Sequence, residues 1–198
     1  LCDAKADPNF IDSNEDKVGM QSIQHSCKFT DCEVLQLLIA VKAQVNADRE
    51  DVMPPLVAAT IGANDRALEI LFDHGADINR AVHWGMPCLT YLLDDVPAVA
   101  RRLLQHKADV NEIAVDIDEE KRTALQVACT HELVGVAAVL LDHKADMERS
   151  WREANFAHVT ALGSACVTGN LELAELLLQR KADIDAHTGA GFTPLHFA

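Results

Sequence analysis

The chain has 198 residues, 17 Lys and Arg against 31 Asp and Glu, and a formal net charge of −14. That balance excludes a phosphate-driven nucleic-acid binder, whose affinity comes mainly from cations, and it disfavours an anionic membrane surface. No apolar run approaches the ~18 residues of a spanning helix, and 2 Trp, 1 Tyr and 6 Phe are few for a β-sandwich and fit a core of Leu, Val and Ala. In chain order, the N-terminus, LCDAKADPNF, has no basic stretch and no apolar segment of a signal peptide. It also lacks an initiator Met. The 6 cysteines are dilute and no N-x-S/T sequon is present, so reduced thiols and an intracellular location, cytoplasmic or nuclear, are expected.

One phrase then recurs along the whole chain. It reads Lys5-Ala6-Asp7-Pro8-Asn9, Lys42-Ala43-Gln44-Val45-Asn46, Gly75-Ala76-Asp77-Ile78-Asn79, Lys107-Ala108-Asp109-Val110-Asn111, Lys144-Ala145-Asp146-Met147-Glu148 and Lys181-Ala182-Asp183-Ile184-Asp185, at spacings of 37, 33, 32, 37 and 37 residues. An apolar pair precedes each copy after the first, from Leu38-Ile39 to Leu177-Leu178. A second phrase follows each copy: Gly19-Met20-Gln21-Ser22-Ile23, Met53-Pro54-Pro55-Leu56, Met86-Pro87-Cys88-Leu89, Arg122-Thr123-Ala124-Leu125, Val159-Thr160-Ala161-Leu162 and Gly191-Phe192-Thr193-Pro194-Leu195-His196-Phe197-Ala198. Its Thr-equivalent positions are 21, 54, 87, 123, 160 and 193. Five places on stands a small residue (Ser26, Ala59, Ala128, Ala165, Ala198), with Leu92 the exception.

One unit can be read at 160–188. Thr160 is expected to cap a short helix running to Thr168, which Gly169 ends. A second helix is expected near Leu171, its stripe formed by Leu171, Ala174, Leu177 and Leu178. Lys181 then fills a turn slot usual for Gly, and Ala182-Asp183 leads into an extended finger. Such a pair buries only one face, so it must stack on its neighbours.

A repeat of this length closed by Thr193-Pro194-Leu195-His196-Phe197-Ala198 resembles the ankyrin repeat, whose period is about 33 residues and whose phrase is T-P-L-H-x-A. Six registered copies carry the resemblance over essentially the whole chain. It implies an all-α fold: an ankyrin-type α-solenoid of stacked helix-turn-helix repeats with β-hairpin fingers. Residues 1–198 are expected to be a single domain of five full repeats with partial repeats at both ends, a truncated segment of a longer chain. Leu1 aligns with Leu140, and Ala198 falls inside a first helix with no polar capping repeat in view. The pattern Leu-x5-Asp-φ-Asn that asparagine hydroxylation uses in this family fits 71–79 and 103–111, although finger geometry already explains the Asn.

Cys27, Cys129 and Cys166 occupy one slot, six places after a Thr-equivalent, and neighbouring repeats lie about 10 Å apart, too far for a disulfide. Buried thiols are expected there. His25, Cys27 and Cys32, or Cys129 and His131, lack the four-ligand spacing of structural zinc, so no metal and no cofactor are expected. There is no G-x-S-x-G, G-x-x-x-x-G-K-[ST] or H-E-x-x-H, so no catalytic residue is assigned and the segment is read as no enzyme.

The resemblance implies a concave face of finger tips and first helices. By register it carries Met20, Met53, Met86, Arg122, Val159 and Phe192 one place before each Thr-equivalent. Three places before lie Asp51, Trp84 and Glu120 among others, and Phe29 lies eight places after. Met20, Met53 and Met86 should form a ladder with Trp84 beside it, or else only stiffen the fingers. Three fingers, 9–21, 111–123 and 148–160, are four residues longer than the others. The first two are acidic, with Glu119 and Glu120 in the second. They suit a basic segment, or serve only solvation. Trp151 and Phe156 in the third are anchors or a small local core. The expected function is a protein–protein interaction module, a monomer binding a protein or peptide with Lys/Arg beside an apolar anchor, with no nucleic acid and no membrane insertion. The rivals are a regulatory or substrate-recruiting arm of a larger enzyme (kinase, acyltransferase or ubiquitin ligase) whose catalytic domain lies outside this segment, and a spacer with no dedicated partner.

Overall fold

A computed structural model describes residues 7–9, 22–28, 32–46, 52–80, 82–83, 86–115, 121–153, 156–187 and 191–198. Its elements run α1 (Ser22–Cys27), α2 (Glu33–Ala40), α3 (Pro55–Ile61), α4 (Asp65–Asp73), β1 (Val82–His83), β2 (Met86–Pro87), a 3-10 turn Cys88–Tyr91, α5 (Pro97–Gln105), β3 (Ala114–Val115), β4 (Lys121–Arg122), α6 (Ala124–Thr130), α7 (Val134–Asp142), β5 (Trp151–Glu153), β6 (Phe156–Val159), α8 (Ala161–Thr168), α9 (Leu171–Gln179) and a 3-10 turn Pro194–His196. Helices of two turns are marginal alone and are held by packing. They form two layers in sequence order. The inner layer runs α1, α3, turn 88–91, α6, α8 and turn 194–196, each against the next; in the outer layer α4 meets α5, α5 meets α7 and α7 meets α9. The β-strands pair as three antiparallel hairpins, β1–β2, β3–β4 and β5–β6. This is the all-α stacked solenoid with hairpin fingers.

The inner helices begin where capping chemistry puts them. Thr123 and Thr160 cap α6 and α8, accepting from Gln126 N and Gly163 N, and Thr123 with Gln126 closes a reciprocal capping box. Pro54 and Pro87 have no hydroxyl but hold the same N-cap place with extended backbones. At the junctions Ser26, Ala59, Ala128 and Ala165 are buried, which lets adjacent helices approach. Leu92 is buried as well, and there the inner helix shrinks to the turn Cys88–Tyr91. A larger side chain sits in that slot, and nine residues rather than ten lie between the Pro87 cap and the next helix, so a full second turn does not fit. The following repeat compensates. Asp95 reaches forward and accepts from Gly135 N and Val136 N at 3.1 and 2.7 Å, capping α7 in place of Leu133. Gly135 permits this, because a Cβ there would lie 2.7 Å from Pro97 Cγ and 2.9 Å from Asp95 Oδ2.

The recurrent Lys/Gly-Ala-Asp-x-Asn phrase is a turn followed by a staple. Its first residue is left-handed in every described copy, with φ of 67° at Lys42, Lys107 and Lys181, 65° at Lys144 and 82° at Gly75. The Asp carboxylate then accepts from the backbone N–H two residues on, at 2.9 Å in Asp7, Asp77, Asp109 and Asp183. The Asn side chain ties one repeat to the next. Asn46 Oδ1 accepts from Asp77 N at 2.9 Å while its Nδ2 donates to Gly75 O at 3.1 Å. Asn9 makes the same pair of bonds with Gln44 N and Lys42 O, and Asn111 with Asp146 N and Lys144 O. Glu148 keeps the acceptor half, taking Asp183 N at 2.9 Å. Asn111 is thus committed at both ends of its amide. Asn79, in a 3-10 turn Ile78–Arg80, makes no such bond to Lys107 or Asp109, and the repeat that follows is the short one.

A side chain in the left-handed region costs about 1–2 kcal/mol, and part of that is retained when Gly replaces it, because Gly loses more freedom on folding. Lys107 is exposed, so Lys107→Gly removes no packing. It should stabilise the stack by about 0.5–1 kcal/mol, read as a raised thermal midpoint. A lowered midpoint would show that the turn is not strained.

The α9 stripe differs from the expected one. Leu173 and Leu177 are fully buried, whereas Leu171 and Leu178 are 70% and 47% exposed. The positions matching Leu178 in earlier repeats, Leu104 and Leu141, are only 9% and 7% exposed, because a further outer helix covers them. At α2 the same contrast appears: Val34 is 54% exposed, while its equivalents Ala67, Val99, Val136 and Leu173 are at 0%.

Candidate partner-binding face

The face is built where each finger returns to its inner helix. In the three described hairpins the residue before the N-cap lies in the returning strand, between the finger and the helix start. Met86 pairs with His83 across β1–β2, Arg122 with Ala114 across β3–β4, and Val159 with Trp151 across β5–β6. Adjacent fingers touch, β2 against β3. Met53, Met86 and Arg122 are half-buried, Val159 is fully buried, and Phe192 is 45% exposed, with its ring edge-on to His196 at 5.7 Å. The row therefore offers partial side-chain surface at Met53, Met86 and Arg122 rather than projecting knobs.

Two buried glutamines lock this face. Gln24 Nε2 donates to Met53 O at 2.8 Å, and Gln126 Nε2 to Arg149 O at 3.2 Å, so inner helices hold the next finger's backbone. Sequence reasoning misses both as cross-repeat ties; the S/T-x-x-Q spacing at Thr123–Gln126 signals only the local cap. His196 accepts the Thr193 N–H through Nδ1 at 3.1 Å.

Of the expected contact residues, Met53 and Met86 fall on this row. Trp151 and Phe156 lie in β5 and β6, where their backbones pair with Val159 and Glu153, so they are not cross-strand partners. Met20, Phe29, Asp51, Trp84, Glu119 and Glu120 lie outside the described residues. So do Asp12, Glu15, Asp16, Asp116 and Asp118 of the acidic fingers. Glu112 is described, and desolvation, then the Asp109 carboxylate, raise its carboxyl. Arg122 enters the row by register and stands out only in three dimensions, through the burial of its Nε.

The thiols sit away from this chemistry. Cys27 and Cys129 are fully buried and Cys88 nearly so, while Cys166 is half-buried. Burial pushes the Cys27 and Cys88 thiols up to about 12, so they are protonated and poor nucleophiles at neutral pH. Among the described residues no three His, Cys, Asp or Glu side chains gather as a metal site, and no helix is long and apolar enough to cross a membrane. A cleft of about 630 Å³ opens in the outer layer beside α7 and α9. Its Asp95 caps α7 and its Glu132 accepts from Asn170 Nδ2 at 3.1 Å, so these two carboxylates join repeats.

The family model for ankyrin repeats (many copies) matches residues 162–198. No curated protein matches the chain. Ankyrin repeats are in general modules of protein–protein interaction, and their fold is typically non-catalytic. That match at 162–198, with helix pairs stacked in register along the described residues before it, supports an ankyrin-repeat protein.

Proposed function

We propose that residues 1–198 form one domain, five full repeats with a partial repeat at each end, that binds a protein segment along the concave row at Met53, Trp84 and Met86. The half-burial of Met53 and Met86 at equivalent places carries the reading: each keeps part of its surface open, and the backbone at Met53 is held by the buried Gln24. Preformed surface lowers the ordering cost of binding, and Met adapts to varied apolar groups. The flanking acids at Asp51, Glu119 and Glu120 favour Lys/Arg beside the apolar anchor and speed encounter. Met20 and Phe29 extend the face by register, and Trp151 and Phe156 add anchors on the third long finger. Binding is to a monomer, in the cytoplasm or nucleus.

The test is a peptide array probed with the purified chain at two salt concentrations. Ala at Met53, Trp84 and Met86 together should weaken the strongest peptides by about tenfold or more, as for loss of two or three contact anchors, with little change in thermal midpoint. Unchanged affinity in the triple variant would remove this row as the site. Salt-independent binding would remove the acidic fingers from recognition.

A further inference from the structure

The outer-layer cleft beside α7 and α9 owes its shape to α7. At the place of Ala138 the helices α4, α5 and α9 carry Glu69, Arg101 and Glu175, whereas α7 has no charged side chain before Asp142, its last residue. Gly135 and Ala138 leave that part of α7 bare, and the long side chains of α9 then border an open groove of about 630 Å³. That size falls within the ~300–1,000 Å³ of ordinary ligand pockets. Gly135, Ala138 and Leu176 of its lining are half-buried. The charges around it are of one sign, Asp95, Glu132, Glu172 and Glu175, with no Lys, Arg or His among the described lining residues. Asp95 and Glu132 are engaged within the stack, with α7 backbone N–H groups and with Asn170. Glu172 and Glu175 are exposed and make no hydrogen bond or ion pair among the described residues. Arg180, at the end of α9, pairs with Asp142 at 2.8 Å instead. Glu172 stands in the first turn of α9, where a carboxylate favours the helix start. Glu175 has no such local reason, and two like charges three residues apart on a helix oppose each other.

We propose that this groove is a second docking site, on the outer layer, for a segment of a partner protein that sets two Lys or Arg side chains against Glu172 and Glu175 and a small or apolar residue over Gly135, Ala138 and Leu176. It does not rest on the concave-face reading, which concerns the fingers and inner helices. Charge complementarity selects the occupant, because carboxylates of one sign line the groove and two of them lack a partner. Among the described residues no three of these acids gather as a metal site, so the complement is spread along the groove, as on a polypeptide. Side chains three apart on a helix lie about 5–6 Å from each other. An extended segment matches that with residues two apart, at about 7 Å, and a helical one with residues three or four apart. The two cations of the partner therefore lie two to four residues from each other. Partial enclosure screens these pairs less than a flat surface would.

The test uses the whole chain and a displayed library of dodecamer peptides. Peptides are kept that bind the wild type and fail to bind Ala138→Gln, which fills the groove without adding charge. The fold accepts that side chain, since α2 carries Gln36 at the same place. The kept peptides should carry Lys or Arg two to four residues apart beside a small or apolar residue. By fluorescence anisotropy, Glu172→Gln with Glu175→Gln should weaken them about fivefold or more, as for the loss of two ion pairs, and added salt should shrink the difference. Both glutamates are exposed and Gln keeps their helix propensity, so the double variant should fold as the wild type does. Met53→Ala with Met86→Ala should leave these peptides unaffected. Unchanged affinity in the glutamate pair overturns the groove site, as does a selection that keeps no peptide or keeps peptides without Lys or Arg. Peptides weakened by the methionine pair and not by the glutamate pair sit on the concave face, and that reading then stands while the groove site falls. If the glutamate pair matters and the methionine pair affects no peptide from the unfiltered library, the groove site stands and the concave-face reading falls.

Discussion

Leu140→Ala should cost the stack about 3–5 kcal/mol and split its unfolding. Leu140 lies in α7 and is fully buried, like its equivalents Leu71, Leu103 and Leu177. The α7 helix packs on α5, α6 and α9 at once. A truncated side chain there leaves a void that three neighbours border and that short, mutually braced helices fill poorly. In a repeat array, stability is a sum of unit terms and nearest-neighbour terms. Damage at a central unit therefore weakens two interfaces and uncouples the repeats on either side. Urea unfolding followed by circular dichroism should show an earlier midpoint and a shallower or two-step transition. Hydrogen exchange should lose protection first in α6 and α7 while α3 and α4 hold. A uniform shift of one sharp transition would mean that the array unfolds as a single unit, and the nearest-neighbour picture would be wrong for this chain.

The difference between what is legible in the sequence and what is not follows the reach of each interaction. Helix starts are legible because a Thr hydroxyl caps an N–H three residues away; Thr123 and Thr160 do what their spacing implies. The left-handed turn at Lys181 is legible because the slot is conformational, and four lysines hold it as Gly75 does. The repeat period carries the stacking order, since a face that cannot be buried within one unit must meet the next. What escapes the sequence acts between repeats. The Asp95 cap on α7 spans 40 residues, and nothing in the local pattern around Asp95 or Leu133 announces it. Leu92 is visible as an exception to the small-residue slot, but its effect on helix length depends on what it packs against. The α9 stripe is misread at Leu171 and Leu178 because periodicity gives a helix face and not whether a neighbour covers it. In the candidate site the ladder places Met53 and Met86, while their half-burial and the buried Nε of Arg122 depend on how fingers of unequal length lean together.

Asn64→Ala should cost about 2–4 kcal/mol, more than a helix cap alone accounts for. Asn64 is 6% exposed and stands just before α4. Its Oδ1 accepts from Ala67 N at 3.0 Å, which is the ordinary cap. Its Nδ2 donates at 3.1 Å to Cys27 O, the last residue of α1 in the preceding repeat. Ala would remove about 1 kcal/mol of capping and also leave a buried helix-end carbonyl without its donor, a further ~1–3 kcal/mol. Asn170 supplies the internal comparison. It caps α9 through Leu173 N at 2.9 Å, but its Nδ2 meets the exposed carboxylate of Glu132. Water can replace that bond, so Asn170→Ala should cost only about 1 kcal/mol. Asn64→Asp separates the two roles at one position. It keeps the acceptor for Ala67 N, removes the donor, and sets a carboxylate oxygen against the Cys27 carbonyl. If the bridge between repeats matters, Asn64→Asp unfolds at clearly lower urea than wild type although its cap is intact. Equal losses in Asn64→Ala and Asn170→Ala, with a wild-type midpoint for Asn64→Asp, would reduce Asn64 to a cap with no part in joining the first two helix pairs.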